Sequence, residues 1–277
     1  MRDAACVQFM QWALPRLRMR WAGFRKVRRQ VCKRIQRRIN ALQLTDAADY
    51  RSYLQVHPAE WDVLDALCRI TISRFYRDKR AFDFLAEEVL PALVRLAATR
   101  GDSIIKCWSA GCGCGEEPYT LALIWYFCAP SARQSSDIAI TATDIDPRLL
   151  ARAERACYPG SSVRALPDRW LTLAFDRTGD QYCLRPALRN SVRFMAQDMR
   201  QTRPGGPFDL ILCRNLVFTY FDRERQRQIL AQLNERLRPG GALMIGSHET
   251  LPDGVAGLCP RCAHVPIYRK AAEHRAG

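Results

Sequence analysis

The segment Trp108-Ser109-Ala110-Gly111-Cys112-Gly113-Cys114-Gly115-Glu116-Glu117-Pro118-Tyr119 sets three glycines at alternate positions and follows them at once with two carboxylates. Glycines so spaced permit a tight turn and close approach of a ligand to the main chain. By themselves they are shared by many nucleotide-binding chains. The acids narrow the choice, because Glu116 and Glu117 would repel a pyrophosphate but bind an ammonium. Farther on, Thr143-Asp144-Ile145-Asp146 ends an apolar run with an acid where a ribose diol is gripped. Asp198 follows the third such run, in the order expected for an adenine contact. An adenosyl group with an amino-acid tail and no pyrophosphate is S-adenosylmethionine. Glu117 serves equally well as a helix-start acid, and Asp146 before Pro147 reads as an N-cap.

These acids need a scaffold, and the chain after Arg100-Gly101 supplies one. Apolar runs at Ile104–Trp108, Ile138–Thr143, Val192–Met195, Phe208–Cys213 and Ala242–Ile245 alternate with helical stretches beginning near Glu116, Pro147 and Arg223. That alternation is the pattern of an α/β, Rossmann-like parallel sheet. Pro239-Gly240-Gly241 stops the last helix before its strand. Residues 158–190 break the rhythm: Gly179-Asp180 flanked by extended residues predicts a small antiparallel β insertion.

Residues 1–97 read as a separate, basic, all-helical domain, with 98–277 as the cofactor-binding domain. Between Phe24 and Leu42, Val27, Val31, Ile35 and Ile39 recur every fourth position, one apolar stripe of a helix. Eight of the fourteen residues from Arg25 to Arg38 are basic and none is acidic. Like charges at i,i+4 oppose helix formation, so this face is expected to serve an acidic partner. Arg25, Arg28, Arg29, Lys33 and Arg37 are its candidate docking residues. The net charge of +15 agrees. The 48% hydrophobic content excludes wholesale disorder, and no apolar stretch approaches a membrane span of roughly 20 residues. Met1 to Trp12 lacks a signal-peptide pattern. Twelve cysteines in a chain this long do not read as a disulfide scaffold, and several (Cys107, Cys112, Cys114, Cys213) sit in or beside apolar runs as small hydrophobes, so a reduced cytoplasm is the expected setting and a monomer the default.

Ile70 to Asp78, Trp108 to Thr120, Ala142 to Asp146, Phe208 to Asp222, Pro239 to Glu249 and Tyr268 to Lys270 together resemble the chemotaxis-receptor (CheR-type) methyltransferase family. Gly-x-Gly-Glu-Glu-Pro-Tyr and Phe-Asp-Leu-Ile-Leu-Cys-Arg-Asn are specific to it. The resemblance implies a small helical N-terminal domain, a seven-stranded methyltransferase domain with a β insertion, and methyl transfer to glutamate carboxylates on chemoreceptors. It implies cofactor contacts for Arg77, reaching in from the N-terminal domain, and for Ala110, Gly111 and Glu116. Asp144 takes the ribose, Asp198 with Met199 the adenine, and Arg214 with Asn215 the end of the fourth strand. Tyr220 matches the tyrosine beside the transferring methyl. Three departures stand out. Four residues, Leu216-Val217-Phe218-Thr219, separate Arg-Asn from Tyr-Phe where the family has three. Tyr76 replaces a phenylalanine, and Asp198 replaces an asparagine.

A glutamate acceptor is ionised at neutral pH, with a reference pKa of about 4.3, so no strong base is needed. The enzyme must hold its oxygen in line and exclude water. Arg77 or Arg214 is expected to fix a carboxylate and Tyr220 to position the methyl group or the acceptor. The rival readings are a small-molecule or other-protein methyltransferase on the same scaffold and a non-catalytic S-adenosylmethionine-binding regulator. A nucleic-acid substrate lacks any recognisable binding motif. Cys259-Pro260-Arg261-Cys262-Ala263-His264 has no second ligand pair at zinc spacing, so no metal is expected.

Overall fold

The computed structural model describes residues 3–129, 136–254 and 257–271. The chain folds as two compact units, one comprising the chain up to Ile72 with Thr219–Gln226, the other Ser73–Phe218 with the chain from Arg227.

The first unit contains α1 (Asp3–Ala13), a short α2 (Trp21–Phe24), α3 (Arg28–Ala41), α4 (Ala47–Val56) and α5 (Glu60–Cys68). The helix expected from Phe24 to Leu42 is therefore broken, with its long part starting at Arg28. α3 buries Val31, Ile35 and Ile39 completely, each worth about 1.5–3 kcal/mol of transfer free energy. Asp46 caps α4 by accepting the Ala48 and Asp49 amides. Inside the unit, Glu60 accepts both Arg38 nitrogens, at 2.8 and 2.7 Å, and the Tyr50 hydroxyl at 2.7 Å. The late segment Thr219–Gln226 is tied in by Arg18 Nε on Asp222 at 2.6 Å and by the Arg20 amide on the Tyr220 carbonyl at 2.9 Å.

The second unit begins with α6 (Lys79–Phe84) and α7 (Leu90–Thr99) and continues β1 (Ile104–Ala110), α8 (Glu116–Cys128), β2 (Asp137–Asp144) and α9 (Pro147–Arg155). After the insertion come β6 (Val192–Ala196), β7 (Phe208–Leu212), β8 (Leu237–Met244), β9 (Leu258–Cys262) and β10 (Val265–Lys270); α13 (Val217–Tyr220) and α14 (Arg223–Arg236), between β7 and β8, are divided between the units because Thr219–Gln226 belongs to the first. The sheet runs β6-β2-β1-β7-β8-β10-β9. β6 through β8 are parallel neighbours, and β10 is antiparallel to both β8 and β9. β7 is buried at every position, as a central parallel strand must be. Its one charged residue, Asp209, is neutralised by Arg100 at 2.6 Å and by the Lys106 amide at 2.9 Å. Chain order reverses between β1 and β7, and in open α/β sheets the ligand crevice lies beyond the strand ends at that point.

The insertion holds β3 (Cys157–Pro159), α10 (Gly160–Val163), α11 (Asp168–Ala174), β4 (Phe175–Thr178), β5 (Gln181–Leu184) and α12 (Pro186–Arg189), its three antiparallel strands ordered β3-β5-β4. Gly179, at φ +59°, makes the β4–β5 turn.

Two expectations need correction. The change at residue 97 lies inside the second unit, because Phe82, Leu85, Val89, Leu93 and Ala97 belong to the same core as β1 and α8. Arg77 thus comes from the same unit as the glycine turn. The cysteines are also not all free: Cys6 is joined to Cys32 and Cys157 to Cys183, the second pair directly opposite across β3 and β5. Cys107, Cys112, Cys114 and Cys213 are buried free thiols. Among the described residues no helix is long and apolar enough to cross a membrane.

Candidate functional site

The glycine turn closes on the tip of β2. The Gly111 and Cys112 amides donate to the Thr143 carbonyl at 2.8 and 2.9 Å. One Asp144 oxygen accepts the Gly113 amide at 2.9 Å and the other the Asp146 amide at 3.0 Å. Burial, with the like charge of Asp146 adding to it, raises the Asp144 carboxyl above its ordinary value against these amide bonds. Each oxygen keeps further acceptor capacity, as a ribose diol requires. Asp146 itself caps α9 through the Arg148 amide at 2.9 Å.

Gly115 stands at φ +91° at the head of α8, with the Tyr158 hydroxyl donating to the Cys114 carbonyl at 2.7 Å beside it. A Cβ there would lie 2.8 Å from that of Ala153 and 3.0 Å from Tyr158 Oη. Gly115→Ala is therefore expected to cost about 2 kcal/mol or more of stability, through left-handed strain and overpacking. An unchanged urea midpoint for that variant would show that the turn relaxes freely.

Glu116 opens α8 and is 4% exposed. Ser73 and Ser162 hydroxyls donate to it, yet burial prevails and raises its carboxyl above the usual range. Its Oε2 is buried with no hydrogen-bond partner, as is Gln197 Oε1 just after β6. Native folds rarely strand such acceptors, so both fit donors brought by a ligand. S-adenosylmethionine carries an ammonium, ribose hydroxyls and an adenine amino group of the required kind. Ser73, Ser162 and Gln197 escape a reading of the sequence because isolated polar residues carry no spacing signal.

Arg214, at the end of β7, is a hub. Its side chain is 3% exposed and donates to Glu117 at 3.1 Å and, from one nitrogen, to Asp78 and the Arg77 carbonyl, each at 2.7 Å. Its guanidinium also lies 4.8 Å from the Phe82 ring centre. Burial opposes the Asp78 charge, but Arg214, with Arg77 and Ser247, outweighs it and holds the carboxyl below its ordinary value. Burial raises Glu117 despite Arg214 and the Ser109 hydroxyl at 2.7 Å. Both terminal nitrogens of Arg214 thus bond to protein groups, while its Nε is buried with no hydrogen-bond partner. These bonds fix a segment in which Tyr76 and Asp78 both have left-handed backbones, at φ +55° and +64°. The Phe75 amide on the Ser162 carbonyl at 3.0 Å and the Tyr76 amide on Thr120 Oγ1 at 3.1 Å pin it from the other side. Arg77 is presented, half-buried, from this segment.

Asn215 takes φ +56°, a conformation asparagine tolerates. Its amide and that of Gly246 both donate to Glu249 Oε2, at 2.8 and 2.7 Å, joining the ends of β7 and β8. Ala110 and Met199 are buried. Asp198 accepts Arg200 Nε on both oxygens, at 2.9 and 3.0 Å, and the Arg200 amide at 2.9 Å. Tyr220 belongs to the first unit, where its ring lies 5.0 Å from that of Phe24. Tyr220 is the last residue of α13. No group of three or more metal-ligating side chains occurs among the described residues.

Comparison with known proteins agrees with this geometry. Residues 71–261, more than half the chain, match the family described as CheR methyltransferase, SAM binding domain. The chain is 36% identical over 190 residues to a chemotaxis protein methyltransferase of Listeria monocytogenes, covering 69% of each. It is 32% identical over 227 residues to chemotaxis protein methyltransferase 2 of Vibrio cholerae, covering 80% of this chain and 77% of that one. It is also 33% identical over 221 residues to an uncharacterized 104.1 kDa protein of Rhodobacter capsulatus, covering 80% of this chain but only 23% of that protein. With the glycine turn, Asp144 and the stranded acceptors in place, the chain belongs to the CheR methyltransferase family and S-adenosylmethionine is its cofactor.

Proposed function

We propose that this protein methylates glutamate carboxylates of an acidic, helical, chemoreceptor-type protein, giving methyl esters. The observation that carries the acceptor class is the charge pattern of α3 and the turn before it. Arg29, Lys33 and Arg37 form an exposed i,i+4 line on the side of α3 opposite Val31, Ile35 and Ile39, and Arg25 is exposed in the turn before it. They make no ion pair among the described residues, whereas Arg28 pairs with Asp3 at 3.1 Å and Arg38 with Glu60 at 2.7 Å. Arg34 donates to the Leu67 and Arg69 carbonyls. The fold therefore spends some of the basic residues internally and leaves one row outside. Such a row attracts an acidic helix.

When bound, S-adenosylmethionine supplies the methyl group. Glu116 holds the ammonium, Asp144 the ribose hydroxyls, and Asp198 with Met199 the adenine; Ala110 and Gly111 let the ligand approach the main chain. Arg77 orients the cofactor and the incoming carboxylate. Arg214 and Asn215 set the backbone around that point; the role of positioning the methyl group falls to Tyr220 by its match to the family's motif alone. No side chain needs to remove a proton, since the carboxylate arrives ionised.

The test is transfer of label from methyl-labelled S-adenosylmethionine to the host's own proteins, followed by mild base. Release of volatile methanol from a protein band is the expected result. Cofactor binding with no protein label overturns the reading. Replacing Arg29 and Lys33 by Glu is further expected to slow transfer about tenfold or more at low ionic strength, with the difference shrinking at roughly 0.5 M salt. Cofactor affinity should not change in that variant, which separates docking from damage to the site.

A further inference from the structure

The three-stranded sheet of the insertion has β3, three residues long, as an edge strand beside β5. Cys157 and Cys183 face each other across that pair and are joined, and both are half-buried, within reach of a dissolved thiol. The strand so fastened runs straight into the cofactor site. Tyr158 is buried against the glycine turn, its hydroxyl donating to the Cys114 carbonyl at 2.7 Å and its ring edge-on to Phe75 at 4.8 Å. Ser162, in α10, donates its hydroxyl to Glu116 and accepts the Phe75 amide on its carbonyl at 3.0 Å. On the other side of the bridge, Leu184 of β5 pairs with Phe175, whose ring meets Phe75 edge-on at 5.6 Å. Phe75 leads into the left-handed segment that presents Arg77. The bridge thus ties together the two strands that hold Phe75, Glu116 and the glycine turn in place. Eight other cysteines stay as thiols, and a half-exposed bridge on a short edge strand is of the reducible kind rather than part of a scaffold.

We propose that the Cys157–Cys183 bridge is a thiol-redox control on S-adenosylmethionine binding, closed for tight binding and opened by a dithiol. A thiolate of the dithiol attacks one bridge sulfur, breaking the S–S bond and forming a mixed disulfide. The second thiol of the reductant then attacks the reductant's own sulfur in that intermediate, releases the cysteine and departs in a cyclic disulfide. Two electrons and two protons pass to the protein, which ends with two thiols, and a small disulfide reverses the step. In the open form β3 is held by its few hydrogen bonds and the packing of Tyr158, so Tyr158 and Ser162 are in place for only part of the time. Apparent affinity falls with the fraction of molecules in the competent arrangement. This control presupposes that Glu116 and the glycine turn hold the cofactor.

The test is calorimetric titration of the full chain with S-adenosylmethionine after equilibration with glutathione disulfide, and again after dithiothreitol. Reduction is expected to weaken binding about fivefold or more, and return to glutathione disulfide to restore it. Cys6→Ser with Cys32→Ser should keep the full response, which assigns it to the bridge in the insertion. Cys157→Ser with Cys183→Ser should bind weakly in both states. Equal affinity in the two states, a response lost with Cys6 and Cys32, or a response kept without Cys157 and Cys183 each overturns the proposal. Should the last variant fold poorly, hydrogen exchange of the unaltered protein decides. The amides of Phe75 and Leu184, bonded to the Ser162 and Ala156 carbonyls, must exchange faster after reduction, and equal protection rejects the control. Glu116→Gln titrated alongside keeps the two readings apart. If it binds weakly while the unaltered protein ignores reduction, the cofactor site stands and the control falls.

Discussion

Glu116→Gln is expected to fold normally and to bind S-adenosylmethionine about a hundredfold more weakly, the loss typical when one partner of a buried charge pair is removed. Glutamine keeps the shape and the contacts of Ser73 and Ser162 but forfeits the charge that the stranded Oε2 holds toward the ligand. Stability should not fall. A carboxyl whose folded pKa is raised is a liability at pH values above its unfolded pKa, because ionising it in the folded state costs more than in water. Removing it relieves that cost at neutral pH. The same shift gives a pH signature. Cofactor affinity of the unaltered protein should decline as pH drops through the raised value, above the ordinary carboxylate range near pH 4.3. In Glu116→Gln that slope should shrink to the part Asp144 contributes, since its carboxyl is raised as well. Calorimetry between about pH 5 and 8 checks both statements, and an unchanged dissociation constant would remove Glu116 from the ammonium site.

Arg214→Leu has the largest expected effect on folding, a loss of roughly 3–5 kcal/mol, because it strands buried carboxylates rather than merely deleting an ion pair. Glu117 and Asp78 would both lose their guanidinium partner, and the left-handed turn of Tyr76 and Asp78 its main anchor. Asp78 sets the sign of the pH dependence. Its folded carboxyl is lowered, so its contribution is present above the unfolded pKa of about 3.9 and is lost as pH falls through the folded value. That contribution should be missing in the variant. Adding Glu117→Gln to Arg214→Leu should restore part of the stability, since one orphaned charge is then gone. Urea unfolding of the four proteins in this cycle measures the coupling. Additive effects would mean that Arg214 and Glu117 do not act as a pair.

The role of Arg214 is only half visible in the amino-acid order. Arg214 is marked by its motif, but its partners lie 97 and 136 residues away, and no local pattern reveals that they pair with it. Residue type points to a grip on an acceptor carboxylate, whereas the tertiary structure pairs Arg214 with Glu117 and Asp78 and leaves its Nε without a protein partner. The boundary at residue 97 was misplaced for a related reason. Composition changes where the strands begin, but α6 and α7 bury their apolar faces in the sheet's core, and burial defines the unit.

What the sequence determined by itself is the order of strands and helices and the glycine–acid turn. Periodicity of two or 3.6 and glycine spacing are local properties, set by backbone sterics within a few residues. Ile104–Ala110, Asp137–Asp144 and Phe208–Leu212 accordingly stand where the apolar runs predict. Only the tertiary structure decided which polar groups meet. It drew Thr219–Gln226 into the first unit and divided the basic residues of α3 into an internal set and an outer row. It also stranded Glu116 Oε2 and Gln197 Oε1 and joined Cys157 to Cys183. Those outcomes depend on long-range packing. A charge is paired, free or crowded according to what the core places beside it, and that neighbour is rarely near in the chain.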